Sequence, residues 1–339
     1  MLHMSAIPEI EFDRAVRSLL GVSSARRMGK LVFDPKLDPV LEDVHRLVNE
    51  MFNSVKIKMD TIAYFDFIDG EITNAFAFES VGWIFVGVTL PLVKDLGRIA
   101  DALISSPLKS ELISAANLEY RDVKVLWTNL FSYALLFVVF HECGHHACGH
   151  VSQSDNTFGA PMLTEYKYKL EPTQLTTYGQ TPPQVQANLR EQMDELDADR
   201  HAILTLAAGL LGHSPDQTNG ESDDQVLSEI VISLGMFFLL VPESTQGLAG
   251  VNLVNLNHPP AALRHRFAMN ILLEWLSENK PQALSSSLNG PAFGRVLDIA
   301  AQILNEGSDL ANWNRMVDIL ATPVGLDYIE LLRGSTSLV

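Results

Sequence analysis

Apolar positions recur at helical spacing over residues 9–20 and 38–53, where Leu41, Val44, Leu47, Val48 and Met51 mark one face, so both segments are expected to be helices. From Val55 the pattern changes to short alternating runs, 55–59 and 62–67, followed by a turn at Asp69-Gly70, which is the pattern of strands. Two further runs, 72–78 and 82–88, complete a small twisted sheet. Helical spacing returns over 92–104, and a long apolar segment from about 120 to 149 reads as a buried helix ending in a cluster of histidines. Residues 152–184, rich in Ser, Thr, Gln, Gly and Pro, have the composition of a flexible, substrate-facing loop, with a short strand candidate at 166–169. Pro182-Pro183 precedes a helix over 185–211, a polar stretch leads to an apolar helix around 226–240, and His258-Pro259-Pro260 opens another to about 277. The fold class is α+β, mostly helical, with the sheet placed before the histidine-bearing helix. The expected organisation is an N-terminal helical region, 1–54, a central domain, 55–278, and a C-terminal helical region, 279–339.

Composition narrows the partners. With 47% hydrophobic residues among 339, the chain can bury one large core or two modest ones. A formal charge of −17 repels a phosphate backbone, and no basic patch interrupts it, so nucleic acid is not an expected partner. The two longest apolar runs, 130–140 and 230–241, are shorter than the roughly 20 residues of a membrane span and are expected to be core helices, without integral membrane insertion. The first residues lack a basic segment followed by an apolar run, and the two cysteines, Cys143 and Cys148, lie about 140° apart on a helix, poorly placed for a mutual disulfide. Both observations suit a reducing, cytoplasmic setting.

The chemistry concentrates in Phe140-His141-Glu142-Cys143-Gly144-His145, an H-E-x-x-H pattern. One helical turn separates His141 from His145 on one face, so two imidazoles can take two corners of a tetrahedral zinc site. Glu142 points about 100° round, where a carboxylate can act as general base on water activated by the metal without occupying the metal. A histidine-rich helix end that merely caps itself is the plain alternative, but a motif that follows an apolar helix is held against a core, where imidazoles need partners. Two histidines and a water leave one protein ligand to find. A metzincin would place glycine and histidine three and six residues after the second histidine; those positions hold Cys148 and Val151. A gluzincin takes a glutamate from a second helix, and 191–201 offers a dense run of carboxylates. There Glu195 can reach the metal, Asp199, one turn on, can accept the free ring N–H of a ligand histidine, and small Ala198 and Ala202 allow close helix packing. On regular helix geometry His150 falls on the side opposite His141 and is not expected to be a ligand.

Four segments in order resemble the HtpX, Oma-type and CAAX prenyl protease family of metallopeptidases: Asn74-Ala75-Phe76-Ala77, His141 to His150, Glu195-Leu196-Asp197-Ala198-Asp199, and His258-Pro259-Pro260 with Arg264. The histidine segment is also similar to that of phage-exclusion peptidases that cut a cytoplasmic host factor. The first resemblance implies a compact gluzincin core, one zinc ion on His141, His145 and Glu195, and an edge strand at Asn74, Ala75, Phe76 and Ala77 that binds an extended protein or peptide substrate by main-chain pairing. It also implies that His258 stabilises the oxyanion and that Arg264 braces it or pairs with a carboxylate. Three functions stay open: a zinc-dependent cytoplasmic endopeptidase with Glu142 as base, a catalytically silent zinc-binding regulatory module on the same fold, and a membrane-associated quality-control protease.

Overall fold

The computed structural model describes residues 8–20, 26–27, 33–59, 62–71, 73–80, 83–116, 118, 122–150, 182–212, 222–240, 253, 256, 258–282, 299, 302–303 and 316–335. The expected loop at 152–184 and its strand candidate lie almost wholly outside the described residues. Among those described, helices α1 (Pro8–Leu20) and α2 (Asp38–Met59) accompany strands β1 (Arg26–Arg27), β2 (Ile62–Asp69), β3 (Ala75–Ser80) and β4 (Trp83–Thr89). Then follow α3 (Leu90–Ser105), α4 (Lys109–Ala115), α5 (Val123–Ala147), α6 (Pro182–Leu211), α7 (Asp223–Leu240), α8 (Ala261–Asn279) and α9 (Pro323–Ser335). The class is α+β, as the pattern predicts. One element departs from it: 55–59 is the last part of α2, not a strand. Once a helix is running, each further residue adds a hydrogen bond without a new nucleation cost, and that outweighs the local alternation.

The sheet order is β1-β2-β4-β3, with β2 parallel to β4 and β3 antiparallel to it, closing a hairpin at the Ser80–Trp83 pair. β3 is therefore an edge strand. Alternation gives the sheet two apolar faces. Tyr64, Ile68, Phe76, Phe78, Trp83 and Phe85 pack under Phe12, Ala15 and Val16 of α1. Phe65, Phe67, Ala75, Val86 and Val88 join the main core with α2, α3 and α5.

Helix α5 is the axis of the molecule, touching α3, α6, α7, β3 and β4. Asp122 caps its start by accepting from the N–H groups of Lys124 and Val125 at 2.8 and 3.2 Å. At 25 residues it is long and apolar enough to cross a membrane, yet two thirds of its most apolar window is buried inside protein, as in a core helix. A smaller core seats α9 on α6 and α8 through Leu189, Leu196, Leu263, Leu320, Tyr328 and Leu332. Gln192 fastens that seat, donating to the Leu253 and Leu256 carbonyls and accepting from the Tyr328 hydroxyl.

Candidate metal centre

Helix α6 crosses α5 at Gly144. A Cβ placed there would lie 2.8 Å from both Cα and O of Ala198. The absence of a side chain at 144 and the methyl at 198 thus let two backbones meet, and the carboxylate three residues before Ala198 arrives over the histidine pair. His141 Nε2 lies 3.5 Å from Glu195 Oε2 and 3.0 Å from His145 Nε2, which is 3.6 Å from Glu195 Oε1. Ligands bound to zinc at about 2.0–2.1 Å in a tetrahedron stand roughly 3.3–3.4 Å apart, and the two imidazole nitrogens and the Glu195 carboxylate, which offers a different oxygen to each ring, approach that spacing. All three side chains are buried.

The surroundings are charged and closed. Arg264, from the first turns of α8, donates from Nε and Nη2 to both oxygens of Asp199, at 2.9 and 2.8 Å, and its Nη1 lies 3.2 Å from Glu195 Oε2. Asp199 Oδ1 also lies 2.9 Å from His141 Nδ1, which leaves His141 Nε2 for a metal. Burial pushes the Asp199 carboxyl up, but the Arg264 guanidinium and His141 outweigh it and hold it below the ordinary carboxylate range. Glu142 is fully buried beside the pair. Arg264 is buried against two of the site's three buried carboxylates, Asp199 and Glu195, and the third, Glu142, is next to His141 in the chain. If all three carboxylates are ionised and both histidines neutral, they exceed the one guanidinium by two negative charges, which a divalent cation would balance.

Every other residue the sequence singled out can be placed. His258 is near, its Nδ1 3.4 Å from Glu195 Oε1, and it is the partly exposed member of the group. Asn74 is buried at the base of β3, with its N–H bonded to Thr89 Oγ1 and its carbonyl accepting from Thr89 N at 2.9 Å each. Because that is a hydrogen-bonded pair, alternation turns the backbone groups of Phe76, Phe78 and Ser80 toward β4, and those of Ala75, Ala77 and Glu79 outward. Of these outward-facing positions Ala75 is fully buried, while Ala77 and Glu79 reach the surface. Glu79 reaches α5, its Oε1 3.1 Å from Nδ1 of His146.

One feature escapes the reading by helix geometry. Helix α5 stops at Ala147, so His150 is off the helix, with Nδ1 3.2 Å from His145 Nδ1 and Nε2 3.3 Å from Asp194 Oδ1. Burial, and then His145, push its pKa down to about 4. Gly149 is the sequence signal for that stop.

An H-E-x-x-H helix crossed by a carboxylate-bearing helix is a group able to hold one metal ion. The Peptidase U49 family model matches residues 102–282, slightly more than half of the 339-residue chain and spanning every residue of this centre. The chain belongs to the Peptidase U49 family, and is thereby a peptidase, a hydrolase with protein or peptide as substrate. No curated protein and no solved structure matches the chain, so the likeness to the HtpX group rests on its four motifs.

Proposed function

We propose that this peptidase is a zinc-dependent endopeptidase of the gluzincin type, working in the cytoplasm on extended segments of protein. The observation that carries the reading is the convergence of the buried His141, His145 and Glu195 close enough to hold one ion, with Asp199 and Arg264 packed behind them. Two imidazoles and one carboxylate suit zinc. When bound, the ion supplies a Lewis acid that polarises the scissile carbonyl and lowers the pKa of the attacking water.

The side chains divide the remaining work. Glu142 takes the water's proton and returns it to the departing amine. Asp199 and Arg264 hold His141 and Glu195 in place. His258, with Nδ1 turned to Glu195, can in its protonated form donate its Nε2–H to the oxyanion that forms at the carbonyl. Substrate adds as a strand along the outward edge at Ala77 and Glu79. The thiols do not compete for the nucleophile's role. Burial, and then Glu142, push the Cys143 thiol far up, and burial raises Cys148 too, opposite to the depressed pKa of a cysteine nucleophile. Both are free, in keeping with a reducing compartment.

Glu142→Gln tests the reading. It keeps the hydrogen-bonding shape but not the base, so zinc content should stay at one per chain while cleavage of an unfolded protein falls at least about 100-fold. Cleavage at the wild-type rate, measured on metal-loaded protein, removes Glu142 from the mechanism.

A further inference from the structure

Helix α5 ends in a way that brings a second histidine to the back of a metal ligand. Gly149 has φ 81, the left-handed region that favours glycine. Gly149 N–H donates to the His146 carbonyl at 3.0 Å and His150 N–H to the His145 carbonyl at 2.8 Å, the paired bonds of a Schellman motif. That motif folds the residue after the glycine back onto the residue at the start of the last turn, and the contact there is commonly apolar. Here both residues are histidines, with ring centroids 5.4 Å apart and Nδ1 facing Nδ1 at 3.2 Å. The far nitrogen of His150 meets Asp194, the residue before Glu195.

We propose that His150 is a positioning residue for the metal: its Nδ1 accepts the N–H of His145 Nδ1, which fixes the tautomer that leaves His145 Nε2 as ligand, while Asp194 holds the His150 ring in register. The inference rests on the zinc reading above. Two ligand histidines must each be locked, and α6 locks both from positions flanking its own ligand. Asp199 acts directly on His141 at 2.9 Å, and Asp194 acts on His145 through an intervening imidazole. Neither Asp194 nor His150 touches the metal position in this arrangement, so their contribution is to orientation and ligand basicity rather than to charge at the ion.

The test measures zinc affinity by chelator competition, beside thermal unfolding of the metal-free protein, for wild type, His150→Phe and His150→Asn. Phenylalanine keeps the ring contact and the helix end but removes the acceptor; its zinc affinity should fall about 10–100-fold. The amide oxygen of asparagine stands near the place of Nδ1, so His150→Asn should recover most of the loss. A residue that merely caps the helix would change the metal-free melting temperature and leave zinc affinity at the wild-type value in both variants, and that result overturns the proposal. Should His150→Phe fail to fold, Asp194→Ala serves, expected to weaken zinc several-fold, with unchanged affinity again counting against the idea. Wild-type protein that takes up no zinc would bring down the metallopeptidase reading itself, whereas wild-type uptake matched by His150→Phe would bring down this inference alone.

Discussion

Arg264 is 1% exposed, and the groups that hold it are acidic: a two-pronged bond to Asp199 and an ion pair to Glu195. A guanidinium at such a place does two things at once. It offsets part of the desolvation of two carboxylates, and its planar fork fixes the angle at which Asp199 presents Oδ1, an oxygen that also accepts from the guanidinium, to His141. Removing one partner of a buried ionic group costs about 3–5 kcal/mol, because the charge left behind has no water to turn to. We expect Arg264→Met to lower the unfolding free energy of the metal-free protein by that amount in urea titrations. Arg264→Lys should recover only part of it, since an ammonium cannot span both oxygens. A loss below about 1 kcal/mol for the methionine variant would mean that Glu195 and Asp199 are not both charged in the fold, and with that the charge argument for a divalent ion fails.

At the level of elements, the site is a helix crossing, and the crossing depends on Gly144. A methyl group there meets backbone of Ala198 rather than the tip of a flexible side chain, so the helices must separate. Gly144→Ala should therefore destabilise the protein by about 1–3 kcal/mol despite alanine's better helix propensity, and should weaken zinc by moving Glu195 off the histidines. Zinc affinity unchanged from wild type would show that the carboxylate does not depend on this contact. The same crossing explains what the sequence made legible. His141, Glu142 and His145, and the Glu195–Asp199 pair, could be read because the period of a helix converts spacing into facing, and Ala198 marked the contact. The edge position of β3 came with the motif likeness. Other features depend on tertiary placement or on one local choice. Arg264 could be named, but its grip on both carboxylates bridges 65 residues of chain from Asp199. The ring of His150 could be placed only once the helix was known to stop before Gly149. The 55–59 segment was misread because its alternation is that of a strand while its continuity with α2 makes it helix.

For the molecule as a whole, the acid limit of stability depends on groups that fold in neutral form. His265 lies in the core where α8 meets α7, its ring 5.7 Å edge-on from Phe238, and burial pushes its pKa down to about 4. An unfolded histidine titrates near 6.5, so between that pH and about 4 the unfolded chain binds a proton that the folded one refuses. Stability from this group is complete above about pH 6.5 and is lost as pH falls toward 4. From pH 7 to pH 5 the loss is about 2 kcal/mol. Asp199 works in the same direction but lower down: its depressed pKa contributes stability above the ordinary carboxylate range, lost only as pH falls below it. The window between pH 7 and 5 therefore separates the two. Urea unfolding at those two pH values, with chelator present so that metal binding adds no pH dependence, should show His265→Leu losing about 2 kcal/mol less than wild type on acidification. Equal losses in the two proteins would place a proton on His265 inside the fold, against the burial that lowers its pKa.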